Sequence, residues 1–175
     1  MSAPHVYAVT VVGRDRPGII AETTGRLAGL GLNLEDSTMT LLRGHFAMML
    51  LCAGDASSRR VEEALAFLTT DGSLDVSVRE VREEPEGEPV ASSYVVTVHG
   101  ADRPGIVSAV AAQVAGVGGN ITDLTSRLAG GLYILGAEVD LPEGTDIVAL
   151  EESLRRTAER LGVGAALRRM ESDEL

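Results

Sequence analysis

The sequence predicts an α+β protein built of two units. Each has the order β-α-β-β-α-β, an antiparallel sheet and both helices on one face. Three observations predict this. The chain repeats itself internally, each copy carries the same succession of strand-like and helix-like segments, and a polar stretch separates the copies.

The repeat has an ungapped offset of 87 residues, from Tyr7 to Tyr94. Val9, Thr10 and Val11 fall on Val96, Thr97 and Val98. "GRDRPGI" at 13–19 falls on "GADRPGI" at 100–106. Gly31, Asn33, Asp36 and Gly44 fall on Gly118, Asn120, Asp123 and Gly131. Between the copies, "REEPEGEPVASS" combines acids, prolines, glycine and serines, a poor core and a good linker. The expected organisation is a first domain over 1–82, a linker over 83–92, a second domain over 93–170 and a tail over 171–175.

Each copy opens on a strand rich in β-branched residues, "HVYAVTVV" and "SYVVTVHG". A helix follows, expected to hold Pro17 or Pro104 in its first turn, where a missing N–H costs little. Apolar residues then recur at helical spacing: Ile19, Ile20, Thr23, Leu27 and Leu30, and Ile106, Val107, Val110, Val114 and Val117. Gly31 and Gly118 are expected to end these helices left-handed. Two strands joined by a hairpin come next, with Gly44 and Gly130–Gly131 at the turns. The second helices open on Ser57–Ser58 and on Thr145–Asp146, all capping residue types. "LDVSVREV" and "GVGAALRRM" close the copies as strands. A helix between the first two strands of each copy implies the split, ferredoxin-like plan.

Composition excludes several classes of function. Apolar residues make up 45% and aromatics 3%, so the core must be aliphatic and each half can bury only a modest one. Packing between halves or a homodimer or other homo-oligomer is expected to compensate. The net charge is −11, and lysine is absent. The halves carry 8 and 7 arginines against 13 carboxylates each, so acidity is spread evenly. That opposes direct nucleic-acid binding, which needs concentrated positive charge. Cys52 has no cysteine to pair with and reads as a small core residue. The expected location is cytoplasmic, without a membrane segment or signal peptide. His5, His45 and His99 lack metal-ligand spacing. No phosphate loop, dinucleotide fingerprint or serine elbow occurs, so neither enzyme nor cofactor is expected.

The repeated loop is the candidate site. A helix N-terminus offers free N–H donors and a positive dipole end, suited to a carboxylate. Asp15 or Asp102 can cap those donors or accept from a ligand ammonium group, and Arg16 or Arg103 can pair with a carboxylate. Pro17 and Pro104 stiffen the entry, and Gly18 and Gly105 keep it open. Asn33 and Asn120 lie 18 residues beyond the aspartates and open the next strand. The expectation is that they return to the loop's end of the sheet, so that aspartate, asparagine and helix end hold one free amino acid. The alternative is that both asparagines only serve the turns after Gly31 and Gly118.

The apolar strand, the "DRPGI" loop, the amphipathic helix and then "GLNLED" or "GGNITD" resemble the ACT domain, a small module that senses amino acids. Two such domains and little else resemble the glycine cleavage system transcriptional repressor family. The resemblance implies domains that pair side by side into an extended sheet. The ligand then binds between the strand–helix loop of one domain and an edge of its neighbour. It carries binding roles onto Asp15, Arg16, Pro17, Gly18 and Asn33, and onto Asp102, Arg103, Pro104, Gly105 and Asn120. Serine-sensing ACT domains often have Asn where Asp15 and Asp102 stand, and an aspartate favours a ligand's ammonium over its carboxylate. It further implies a small amino acid, glycine or serine, as ligand and a regulated protein partner. A ligand-free adaptor or dimerisation module acting on a metabolic enzyme is the alternative.

Overall fold

A computed structural model describes residues 4–81 and 92–170. The chain divides into two compact units, Met1–Pro85 and Glu86–Leu175. The expected linker, except Ser92, and the expected tail lie outside the described residues.

In the first unit β1 (His5–Arg14) leads to α1 (Ile19–Gly29), β2 (Asn33–Leu42), β3 (His45–Gly54), α2 (Ser58–Leu65) and β4 (Leu74–Val81). A short 3-10 turn, Ala66–Thr69, extends α2. The second unit repeats the order as β5 (Ser92–Ala101), α3 (Ile106–Gly116), β6 (Asn120–Ala129), β7 (Leu132–Leu141), α4 (Ile147–Leu161) and β8 (Val163–Arg169). Strand order is β2-β3-β1-β4 in one sheet and β6-β7-β5-β8 in the other, with antiparallel pairing throughout. The predicted α+β fold is therefore present twice, and β2 and β6 are edge strands.

Alternation along β1 and β3 turns Tyr7, Val9 and Val11, with Phe46, Met48, Leu50 and Cys52, toward the helices. Ile19, Thr23 and Leu27 of α1 complete that core, as Ile106, Val110 and Val114 of α3 do in the second unit. Ile20 and Val107 are exposed, because a residue next to a buried one on a helix points about 100° away. Buried polar groups are satisfied: the Tyr7 hydroxyl donates to the Ala56 carbonyl at 2.7 Å, and Thr23 donates back to Ile19 at 2.7 Å. Burial pushes the Tyr7 and Cys52 ionisations upward, which suits core packing and not reactivity.

The helix entries differ from expectation. Gly18 and Gly105 are left-handed, at φ 93° and 92°, and the helices begin after them at Ile19 and Ile106. A left-handed residue cannot continue into a right-handed helix, so Pro17 and Pro104 stand in the preceding turn, not in the first helical turn. Gly31 and Gly118 do turn left-handed after the helices, at φ 76° and 74°. Ser57 occupies the N-cap of α2 without a side-chain bond, whereas Asp146 of α4 accepts from Ala149 N–H at 3.0 Å. Asp146→Ala is therefore expected to destabilise the second unit by about 1 kcal/mol. Ser57→Ala should be nearly neutral. Urea midpoints check both, and equal shifts would show that the cap bond contributes nothing.

Candidate functional site

The loop after β1 is pinned at both ends by backbone bonds. Arg14 N–H donates to the Ser73 carbonyl at 2.9 Å, and Asp15 N–H donates to the Gly44 carbonyl at 3.0 Å. The loop thus shares one end of the sheet with the β2–β3 turn, Arg43–Gly44, and with the turn before β4. Close packing fixes it further. A Cβ on Gly13 would stand 2.1 Å from the Ser73 carbonyl oxygen, and one on Gly100 would stand 2.8 Å from Val163 Cγ1.

Asp15, Arg16, Pro17 and Gly18 form one exposed or half-buried cluster, as do Asp102, Arg103, Pro104 and Gly105. The Asp15 and Asp102 carboxylates accept no hydrogen bond from any described residue, so neither caps its helix. Arg16 is engaged. Its Nη1 and Nη2 donate to the two carboxylate oxygens of Glu22 at 3.1 and 2.7 Å. Those bonds hold the Glu22 carboxyl below its usual range and raise Arg16 in turn. Asp71, which accepts from the backbone and hydroxyl of Ser73, adds negative charge near Arg16. Arg103 has no hydrogen bond or ion pair among the described residues.

The asparagines stand elsewhere. Asn33 lies opposite Ala53, which itself lies opposite Val6 near the start of β1. Leu42, at the other end of β2, pairs with His45 beside the loop. At about 3.3 Å per residue, Asn33 is roughly 30 Å from Asp15. Asn120 is placed likewise, opposite Asp140 and away from the second loop. The expected meeting of aspartate and asparagine within one domain is therefore corrected. A helix crossover carries the chain back along the sheet, so β2 starts at the end where β1 started. Asn33 and Asn120 are exposed at the beginnings of the edge strands.

Sequence reasoning missed Glu22. The signal was present in the repeat register, where Glu22 aligns with Ala109 and an acid at the fourth helical position has no counterpart. Among the described residues no group of His, Cys, Asp or Glu could hold a metal. No helix among the described residues is long and apolar enough to cross a membrane. A cleft of about 530 Å³ lies between α3 and α4, lined by Gln113, Ser153, Arg156 and Thr157 among others, and shares no residue with either loop.

A family model for the ACT domain matches residues 5–79 and again 92–167. The chain belongs to the ACT domain family. Each ACT domain coincides with one of the two βαββαβ units. A relative in Escherichia coli K12, the glycine cleavage system transcriptional repressor, is 28% identical over 73% of this chain and 67% of its own length. A UPF0237 protein of Listeria innocua is 35% identical over 43% of this chain and 86% of its own length, as a single ACT domain matching one half would be. A crystal structure of an unknown protein from Galdieria sulphuraria superposes with a TM-score of 0.83 at 29% identity, covering 96% of this chain and 99% of that one. The two-unit fold is thus shared over nearly full length with a solved structure.

Proposed function

We propose that the chain is an amino-acid-sensing regulatory protein and not an enzyme. A small amino acid, glycine or serine, binds at interfaces between ACT domains. Its occupancy alters a partner protein, in transcriptional control of glycine cleavage. One observation carries this reading: each domain presents an unpartnered aspartate beside an Arg-Pro-Gly helix entry. The aspartate suits an ammonium group, and the helix end with its arginine suits a carboxylate.

The separation of Asp15 from Asn33 supports an interfacial site. A ligand held by both residue types must lie between two domains set edge to edge, where antiparallel edges bring one domain's loop toward its neighbour's asparagine. β2 is exposed along its whole length and β6 along nearly all of it, with Met39, Leu41, Leu124 and Leu128 uncovered. Long exposed apolar edges are covered in stable proteins, so a homodimer or other homo-oligomer accompanies the reading. A ligand shifts a protein only by binding two states unequally, and an interfacial site provides that difference through domain placement. The spread negative charge directs the output to a protein partner and not to DNA. The name of the Escherichia coli relative supports the process.

Calorimetric titration of the full chain with glycine, serine and larger amino acids is the test. Heat is expected with glycine or serine. Asp102→Ala should weaken it about ten- to hundred-fold, as for loss of a charge-assisted hydrogen bond. No heat from any amino acid at millimolar concentration would leave only the adaptor reading, in which this variant captures the partner as the parent does.

A further inference from the structure

We infer that the two loops are functionally unequal: the second receives the carboxylate of the free amino acid, and the first is filled by a carboxylate of its own, that of Glu22. This rests on the amino-acid reading above. The internal duplication supplies the comparison. In the first domain a carboxylate is already bound at the helix entry. Arg16 holds both Glu22 oxygens, at 3.1 and 2.7 Å, in the two-pronged geometry an arginine offers a carboxylate. The group lies against Gly18, since a Cβ there would stand 3.3 Å from Glu22 Oε1. A side chain at position 18 would crowd the bound carboxylate.

The second domain keeps the left-handed glycine and the arginine of this loop and lacks the internal carboxylate. Gly105 has the same left-handed turn, at φ 92° against 93° for Gly18. Arg103 stands at the position of Arg16 in the repeat and has no partner among the described residues. The position of Glu22 is Ala109, whose methyl cannot reach it. A Cβ on Gly105 would meet only Ser108 Oγ, at 3.8 Å, so the space over the glycine is open. Ser108 Oγ donates to the Gly105 carbonyl at 3.0 Å and leaves the arginine free. The surroundings add to the difference. Arg16 also feels Asp71 on the turn before β4, and the first domain has Arg43 at the hairpin turn where the second has Gly130. At its loop the second domain has Asp102 and Arg103 side by side, one charge for each end of an amino-acid zwitterion.

The parent chain is expected to bind glycine or serine with one ligand per chain. Ala109→Glu supplies the missing internal carboxylate and should reduce binding at least ten-fold. Ala109 is half-buried on the helix surface, and an unchanged melting temperature would show that the variant folds. Glu22→Ala vacates the first loop and should raise the stoichiometry to two per chain, a readout independent of how Ala109→Glu folds. Two equal sites in the parent, or undiminished binding by folded Ala109→Glu, would overturn the inference and leave the sensor reading standing. No binding in the parent or in Glu22→Ala overturns both.

Discussion

Gly13→Ala is expected to destabilise the first domain by about 3 kcal/mol, the upper end of what overpacking costs. The added Cβ would lie 2.1 Å from the Ser73 carbonyl oxygen and 2.9 Å from Leu74 Cα. Both are backbone atoms, so no side chain can rotate to make room. β1 and β4 would have to part at the Gly13–Leu74 pair, and the bond from Arg14 N–H to the Ser73 carbonyl would be strained with them. A loss of that size corresponds to roughly 12–24 °C in the melting temperature of a domain this small. The matching change Gly100→Ala meets Val163 at 2.8–3.0 Å, with Cγ1 and Cβ among the three atoms, so part of that clash can relax. Its effect should be smaller. Calorimetry on both variants checks the order. A Gly13→Ala protein melting within 2 °C of the parent would refute the close-approach argument.

Phe46→Ala is expected to cost about 3–5 kcal/mol, the range for truncating a buried phenylalanine. Phe46 is 2% exposed and is one of only two phenylalanines in the chain. It sits on β3 opposite both Gly13 and Leu41, where a small core has few aromatic groups to compensate. Phe46→Leu should recover most of the loss by refilling the volume. Denaturant titration separates the two variants, and equal midpoints would mean that ring volume is not what Phe46 contributes. Amide exchange should locate the damage in β1 and β3 of the first domain.

Most of the fold was legible because its determinants are local. β-branched alternation marked the strands, the helical recurrence of Ile19, Thr23 and Leu27 marked α1, and Gly31 and Gly118 marked the helix ends. The ungapped repeat multiplied that information, since a signal weak in one copy was present in the other. The start of α1 was less legible. Proline suits a first helical turn in general, and nothing in "DRPGI" alone says that the glycine turns left-handed and delays the helix to Ile19. The cap at Asp146 formed while the one at Ser57 did not, because a side-chain bond depends on a rotamer as well as on residue type.

The candidate site divides in the same way. The aspartate, arginine, proline and glycine of each loop are contiguous, so their proximity follows from the sequence. Asn33 was assigned to the wrong end of the sheet, although the helix crossover already read from the sequence returns the chain to the end where β1 starts, as the pairing of both strands with β3 shows. The repeat register marked Glu22 against Ala109, and α1 then showed what that acid does by placing its carboxylate on Arg16 over Gly18.

The sequence by itself determined that this protein is one βαββαβ unit made twice, and that both copies present the same charged turn at a helix entry. These follow from periodicity, turn chemistry and repetition, which act over a few residues. Only the tertiary structure decided that Glu22 holds Arg16 while Arg103 has no partner among the described residues, and that the asparagines stand roughly 30 Å from the turns. Those properties depend on where the crossover sets the chain down and on which side chains then meet across the fold.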